Sequence, residues 1–294
     1  MQIENENMPE YLYRFMDFTN LIDMFEQKQL VLVNPRLWDD PYENRILKYL
    51  EYKETLREII NYLKTIIDKD LYISNFINAA IYSKYTSYQQ SWTELEESDA
   101  MWRIYNTNKN YSSIKVKVKR LYLQYLLSKN RLDDSVLSHN KVQYSKNFNL
   151  NHQLKNIIQK GESTKINFDI QKIFFNKRHE FNHEKEWRIY CIDLTEYNNT
   201  IESTQEQTKN MDIDSEEYLN FFINLNEKYK KKKSPIFKLS INPTEFIESV
   251  TIHPLAPPHI AKTIRAYIDN FNNREENRDK RNIEFEVSKL YKFE

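Results

Sequence analysis

Glycine is nearly absent: the chain has one, Gly161, in a polar stretch. That excludes a glycine-rich phosphate loop, the dinucleotide-binding glycine fingerprint and the strained elbow of a serine hydrolase. Cysteine is as scarce. Cys191 stands alone, so no intrachain disulfide forms, a cysteine-rich zinc site is excluded, and a reducing, cytoplasmic location is expected. Net charge is absent too, with Lys+Arg and Asp+Glu both at 43, so any contact with nucleic acid must come from a local patch. No apolar run approaches the roughly 18 to 20 residues that span a bilayer, so no membrane partner is expected. The start, MQIENENMPE, is too polar for a secretory signal.

What is present is aromatic and amphipathic. The 294 residues include 21 Tyr and 16 Phe, ample for a packed core and unlike a disordered composition. Short apolar runs predict strands at 11–15, 30–33, 88–93, 114–118, around 141–144, at 181–194, 236–241, 247–253 and 283–290. Helical spacing predicts helices at 19–27, 46–67, 71–82, 100–105, 169–181, 219–229 and 257–271. Residues 147–165 and 198–214 are polar and read as loops. Strands and helices mix without regular βα alternation, so the expected class is α+β: one domain with a mixed, mainly antiparallel sheet and a helical insertion over 44–84.

The run FNHEKEWRIYCIDL, 181–194, organises the chain. On a strand Glu184, Glu186, Arg188 and Tyr190 share one face, while Lys185, Trp187, Ile189 and Cys191 share the other. The second face suits a core. The first is either a cleft wall or a wet surface, and its paired carboxylates suit acid–base work or the stabilisation of a cationic sugar. Ser91 and Thr93 in QQSWTE also share a strand face. Arg14 in YLYRF is a guanidinium among aromatics, which needs an acidic partner such as Asp39, Asp40 or Glu43, or a phosphate. His179-Glu180-Phe181-Asn182-His183 matches H-E-x-x-H, which on a helix would bind zinc and make a metalloprotease with Glu180 as base. Lys115, Lys117, Lys119, Arg120 and the 230–233 lysine run offer phosphate contacts for a non-catalytic nucleic-acid-binding module.

Four segments carry a resemblance: YLYRF with LVLVNPRLWDDPYEN, then SWTELEESDAMWRIY, FNKRHEFNHEKEWRIYCI and FIESVTIHPLAPPHIAKTIRAYI. Their order and spacing over about residues 11–270 resemble a widespread bacterial domain-of-unknown-function family, number twenty-nine seventy-one. The chain departs from that pattern at Asp39, where Asn is common, and at Gln89-Gln90, where Cys-Phe is common. The order Arg14, Ser91-x-Thr93, Glu184-x-Glu186 is also similar to the Arg, Ser-x-Thr, Glu-x-Glu triad of mono-ADP-ribosyltransferases. That likeness implies NAD as co-substrate and no metal. It makes Glu186 the catalytic acid and Glu184 the acceptor-side carboxylate. Arg14 would hold the NAD phosphates, Ser91 and Thr93 would brace the site, and Trp102 or Tyr105 would stack on a ring. Arg188 would lie on the cofactor side, and Asp40 and Glu43 on the substrate side. A bacterial toxin or phage-defence effector is the implied setting, with an antitoxin or chaperone partner and RNA, DNA or protein as acceptor.

Overall fold

The computed structural model describes residues 8–38, 40, 42–106, 109–129, 135–147, 149–160, 166–232 and 234–292. Asp39, Pro41, Gly161, Lys233 and the seven N-terminal residues lie outside the described residues. The architecture is α+β. Among the described residues nine strands form the main sheet: β1 Tyr11–Asp17, β2 Gln29–Val33, β3 Ser87–Thr93, β4 Ser113–Lys119, β5 Ser135–Lys141, β6 Glu186–Asp193, β7 Ile236–Ser240, β8 Ser249–Ile252 and β9 Glu284–Val287. Their order is β7-β2-β3-β1-β4-β8-β9, with β6 pairing both β3 and β5. Only β8 and β9 run parallel; the other neighbours are antiparallel.

The register divides this sheet. β3 pairs with β6 along its length, from Glu186–Thr93 to Ile192–Ser87, and β1 pairs with β4 from Tyr11–Lys119 to Asp17–Ser113. Between these two blocks β1 and β3 are joined only at Tyr13–Thr93. Strands that share one pair and then part leave a gap, and Arg14 and Phe15 face Ser91 and Trp92 across it.

The alternation predicted for β6 holds from Glu186 onward, yet both of its faces are buried. Trp187, Ile189 and Cys191 enter a core shared with helices Phe18–Gln27, Arg120–Lys129 and Pro258–Asn272. Tyr190 and Ile192 enter a second core made with helices Arg45–Tyr49, Lys53–Lys64, Asp70–Thr86, Leu150–Ile157 and Glu216–Lys232. Of the two readings left open for the polar face, Glu186 lies on a cleft wall, and helices cover the rest.

Four expectations change for local reasons. The single helix over 46–67 is broken at Leu50–Tyr52: Tyr52 is extended, Thr55 Oγ1 donates to the Tyr49 carbonyl and Asn226 Nδ2 donates to that of Leu50, 2.8 Å away. Those carbonyls are then lost to a continuing helical ladder. The polar stretch 147–165 contains helix Leu150–Ile157, whose Asn149 cap accepts from His152 N at 2.8 Å and whose Leu154 and Ile157 are buried. The polar stretch 198–214 contains helix Tyr197–Thr208. It docks on Asp70–Thr86 through hydrogen bonds, Asn78 Nδ2 to the Thr200 carbonyl and Gln205 Nε2 to Asn75 Oδ1, so it shows no apolar stripe. The helix predicted over 169–181 shrinks to Gln171–Phe174. Asn176 Nδ2 donates to the Lys172 carbonyl and Arg188 to that of Phe174, and the chain then runs extended through Asn176–Arg178.

Phe222 is fully buried in the second core. Phe222→Ala is expected to destabilise the protein by about 3–5 kcal/mol, read from urea unfolding, because little can collapse into the void.

Candidate active site

The gap between β1 and β3 is a cleft of about 100 Å³ lined by Arg14, Ser91, Thr93, Tyr105, Glu184 and Glu186, with Lys177 at its acidic end. Its centre is Glu186, the first residue of β6, 2 % exposed. The Glu186 backbone N–H donates to the Tyr144 hydroxyl at 2.8 Å. Its carboxylate accepts from Ser91 Oγ at 2.5 Å, Arg188 Nε at 2.6 Å, Arg188 Nη2 at 3.0 Å and Lys177 Nζ at 3.2 Å. Burial alone would raise this carboxyl. The charges of Arg188 and Lys177, with hydrogen bonds from Arg188 and Ser91, outweigh it and hold Glu186 down at about 2. Glu186 is thus held ionised at ordinary pH, a state that suits the stabilisation of positive charge.

Glu184 differs in place and in state. It ends a 3₁₀ turn, His179–Glu184, and Lys185 follows with φ 45°, so Glu184 does not lie on the strand with Glu186. The two carboxylates come together through Lys177, whose ammonium reaches Glu184 at 2.7 Å and Glu186 at 3.2 Å. Thr93 Oγ1 donates to the Glu184 carbonyl at 2.6 Å and so fixes the turn to β3. Burial raises the Glu184 carboxyl above the usual range, against the pull of Lys177. Two neighbouring carboxyls with oppositely shifted acidities can take different roles, one charged throughout and one able to exchange a proton.

Arg14 stands half-buried in the cleft with no hydrogen bond or ion pair among the described residues. Burial lowers its guanidinium to about 10, opposed only by nearby Tyr105. Neither Asp40 nor Glu43 pairs with it. Tyr105 lines the cleft and stacks on Phe15 at 6.3 Å.

Four expected site residues do not reach the cleft. Arg188 is 1 % exposed; it binds Glu186, the Phe174 carbonyl at 2.7 Å and Glu43, beneath the Trp38 ring. Glu43 is buried because it neutralises Arg188. Asp40 accepts from Tyr42 N at 2.9 Å and from Arg178 at 3.4 Å, and so shapes its own turn. Trp102 packs edge-on against Phe15 and donates to Glu97 at 2.8 Å, which makes it core and not a stacking platform. Lys177 was missed, because the sequence buries it in a run that reads as helix.

His179 and His183 sit on the 3₁₀ turn, where four residues bring a side chain about 120° round from the first. His183 Nδ1 instead lies 3.1 Å from the Glu180 carbonyl. Among the described residues no group of three or more His, Cys, Asp or Glu could hold a metal. The basic strand is equally committed: Lys115 is buried against the Glu96 carbonyl and Glu97, Lys119 pairs with Glu248, and Arg120 donates to the Pro9 carbonyl. Lys230 is exposed and lies 3.8 Å from Glu227. Among the described residues no helix is long and apolar enough to cross a membrane.

No family model matches the chain, and comparison with curated proteins and with solved structures returns no significant match. The family resemblance rests on the residues that carry it, and function must be argued from the cleft.

Removing Arg188 leaves Glu43 buried without a cation among the described residues and Glu186 with only Lys177. Arg188→Met is therefore expected to cost about 3–5 kcal/mol in urea unfolding. The Glu186 carboxyl is depressed on folding, so its stabilisation is present above the unfolded value near 4.5 and drains away as pH falls toward 2. The wild-type stability advantage over Glu186→Gln is expected to shrink steadily between about pH 5 and pH 2. An advantage independent of pH would show that Glu186 is not held ionised.

Proposed function

We propose that the cleft binds the nicotinamide–ribose end of NAD and transfers ADP-ribose to a nucleophilic acceptor. The observation that carries this reading is the meeting of Arg14, Ser91, Thr93, Glu184 and Glu186 in one cleft, at the gap between β1 and β3. A guanidinium without an ion pair among the described residues on one wall suits a diphosphate, and an ionised carboxylate on the other suits a cationic ribose.

In this reading the bond from ribose to nicotinamide breaks, and its electron pair leaves with the nicotinamide ring. The positive charge left on the ribose faces Glu186. The acceptor attacks the anomeric carbon, and Glu184, whose proton affinity is raised, takes the proton it loses. Ser91 keeps Glu186 aimed, and Thr93 keeps the Glu184 turn in place. All the hydrogen-bonding positions of Glu186 are filled at rest, so a ribose hydroxyl must displace Lys177, the longest of those contacts. The cleft of about 100 Å³ is smaller than one ring with its sugar, so Lys177 and the Tyr105 wall must move aside for the nicotinamide–ribose end, and the adenosine half lies outside. An enzyme that consumes NAD in this way would act as a toxin or defence effector and would need an inhibitory partner.

Nicotinamide release from NAD in the presence of cell extract tests the reading. Glu186→Gln is expected to lower kcat by about 10²–10³-fold, the range seen when one charge-stabilising group is removed. Arg14→Ala is expected to raise the KM for NAD about 10- to 100-fold, the loss of one charge-assisted contact. Wild-type protein that neither binds nor consumes NAD would sink the proposal.

A further inference from the structure

A second pocket, of about 190 Å³, opens where helices Arg45–Tyr49 and Asp70–Thr86 meet the turn after β2. Arg36, Lys48 and Lys84 line it, against the single carboxylate of Glu51. Lys84 is 3 % exposed and ion-paired with Glu51. Lys48 Nζ donates to the Asp40 backbone carbonyl at 2.8 Å and has no ion pair among the described residues. Arg36 lies over the Tyr85 ring at 5.3 Å and has no ion pair among the described residues. Burial lowers Lys84 to about 8 despite Glu51, with Lys230 and Arg36 adding to the drop, as expected where positive charge is crowded.

The second observation is Asn44. Its side chain is 5 % exposed and lines the same pocket, yet neither Nδ2 nor Oδ1 has a partner among the described residues. An orphaned buried amide costs about 1–3 kcal/mol, and a ligand oxygen accepting from Nδ2 would remove that penalty. Pro35, Leu47 and Tyr52 supply an apolar rim.

We propose that this pocket is a binding site, separate from the cleft, for the phosphate of a small organic phosphate monoester. Among the described lining residues, three cations against one carboxylate leave two positive charges, which match a phosphate dianion. A carboxylate would neutralise only one. Arg36 offers its planar fork to two phosphate oxygens, and Lys48 and Lys84 act as point charges. Exposed Tyr52, above the buried Pro35 and Leu47, carries the organic body.

The test is calorimetric titration of the full chain, in a phosphate-free buffer, with phenyl phosphate, inorganic phosphate and benzoate. Phenyl phosphate is expected to saturate the protein at sub-millimolar concentration, with inorganic phosphate weaker and benzoate weaker still. Arg36→Ala and Lys48→Ala, each checked for an unchanged circular dichroism spectrum, should each weaken phenyl phosphate about tenfold or more. Tyr52→Ala should weaken phenyl phosphate but not inorganic phosphate. Arg14→Ala should leave the binding as it is. The proposal is overturned if nothing saturates below 10 mM (about 100-fold weaker than a 0.1 mM site) or if Arg36→Ala and Lys48→Ala both bind like wild type. It is equally overturned if benzoate matches phenyl phosphate, or if Arg14→Ala is the variant that abolishes binding, since the ligand would then occupy the cleft.

Discussion

The structure turns on one buried guanidinium. Arg188 projects from the middle of the sheet toward the helical layer and is surrounded by Glu186, Glu43 and the Phe174 carbonyl. A charge taken out of water in this way is tolerable only if its partners are fully supplied. Each partner comes from a different part of the chain: the sheet, the turn before the first insertion helix, and the short helix before β6. Arg188 therefore ties the loop after β2 and the 171–184 segment to the same strand. Remove it, and Glu43 is stranded without a cation among the described residues, while Glu186 keeps only Lys177.

The candidate site is a by-product of that constraint. Because Arg188 fixes Glu186 from below, only one edge of the carboxylate faces the cleft, and Lys177 covers it. Lys177 reaches that place because the chain leaves the helix Gln171–Phe174 early and runs extended. Structural and chemical roles meet in one residue: the ion pairs that stabilise β6 also keep Glu186 ionised. Glu184, held at its carbonyl by Thr93 and desolvated, keeps a proton affinity that Glu186 has lost. The opposite wall carries Arg14, which has no ion pair among the described residues, the opposite condition from that of Arg188.

Much of the sheet was legible because its strands are short apolar runs whose alternation is strong, as in IKVKV and EWRIYCI. The helix Pro258–Asn272 was legible from its period. The missed helices had other grounds. Tyr197–Thr208 docks through Thr, Asn and Gln hydrogen bonds, which leave no apolar period to read. Leu150–Ile157 is two turns long, with its buried positions diluted by Asn and Lys. The break at Leu50–Tyr52 depends on Asn226, a residue far along the chain, so no local window could reveal it.

By itself the sequence determined the exclusions and the alternation: no glycine loop, no disulfide, and Glu186, Arg188 and Tyr190 on one side of a strand with Trp187, Ile189 and Cys191 on the other. These follow from composition and from the two-residue repeat of a strand. Tertiary structure decided everything that depends on what faces that strand. It covered the polar side with helices, sent Arg188, Glu43 and Trp102 into the interior, and lifted Glu184 off the strand. It also brought Lys177 between two carboxylates and set Arg14 in the gap beside Ser91. The reason is that a side chain's charge state and reach are set by its neighbours in space, and those neighbours lie up to about 170 residues away along the chain.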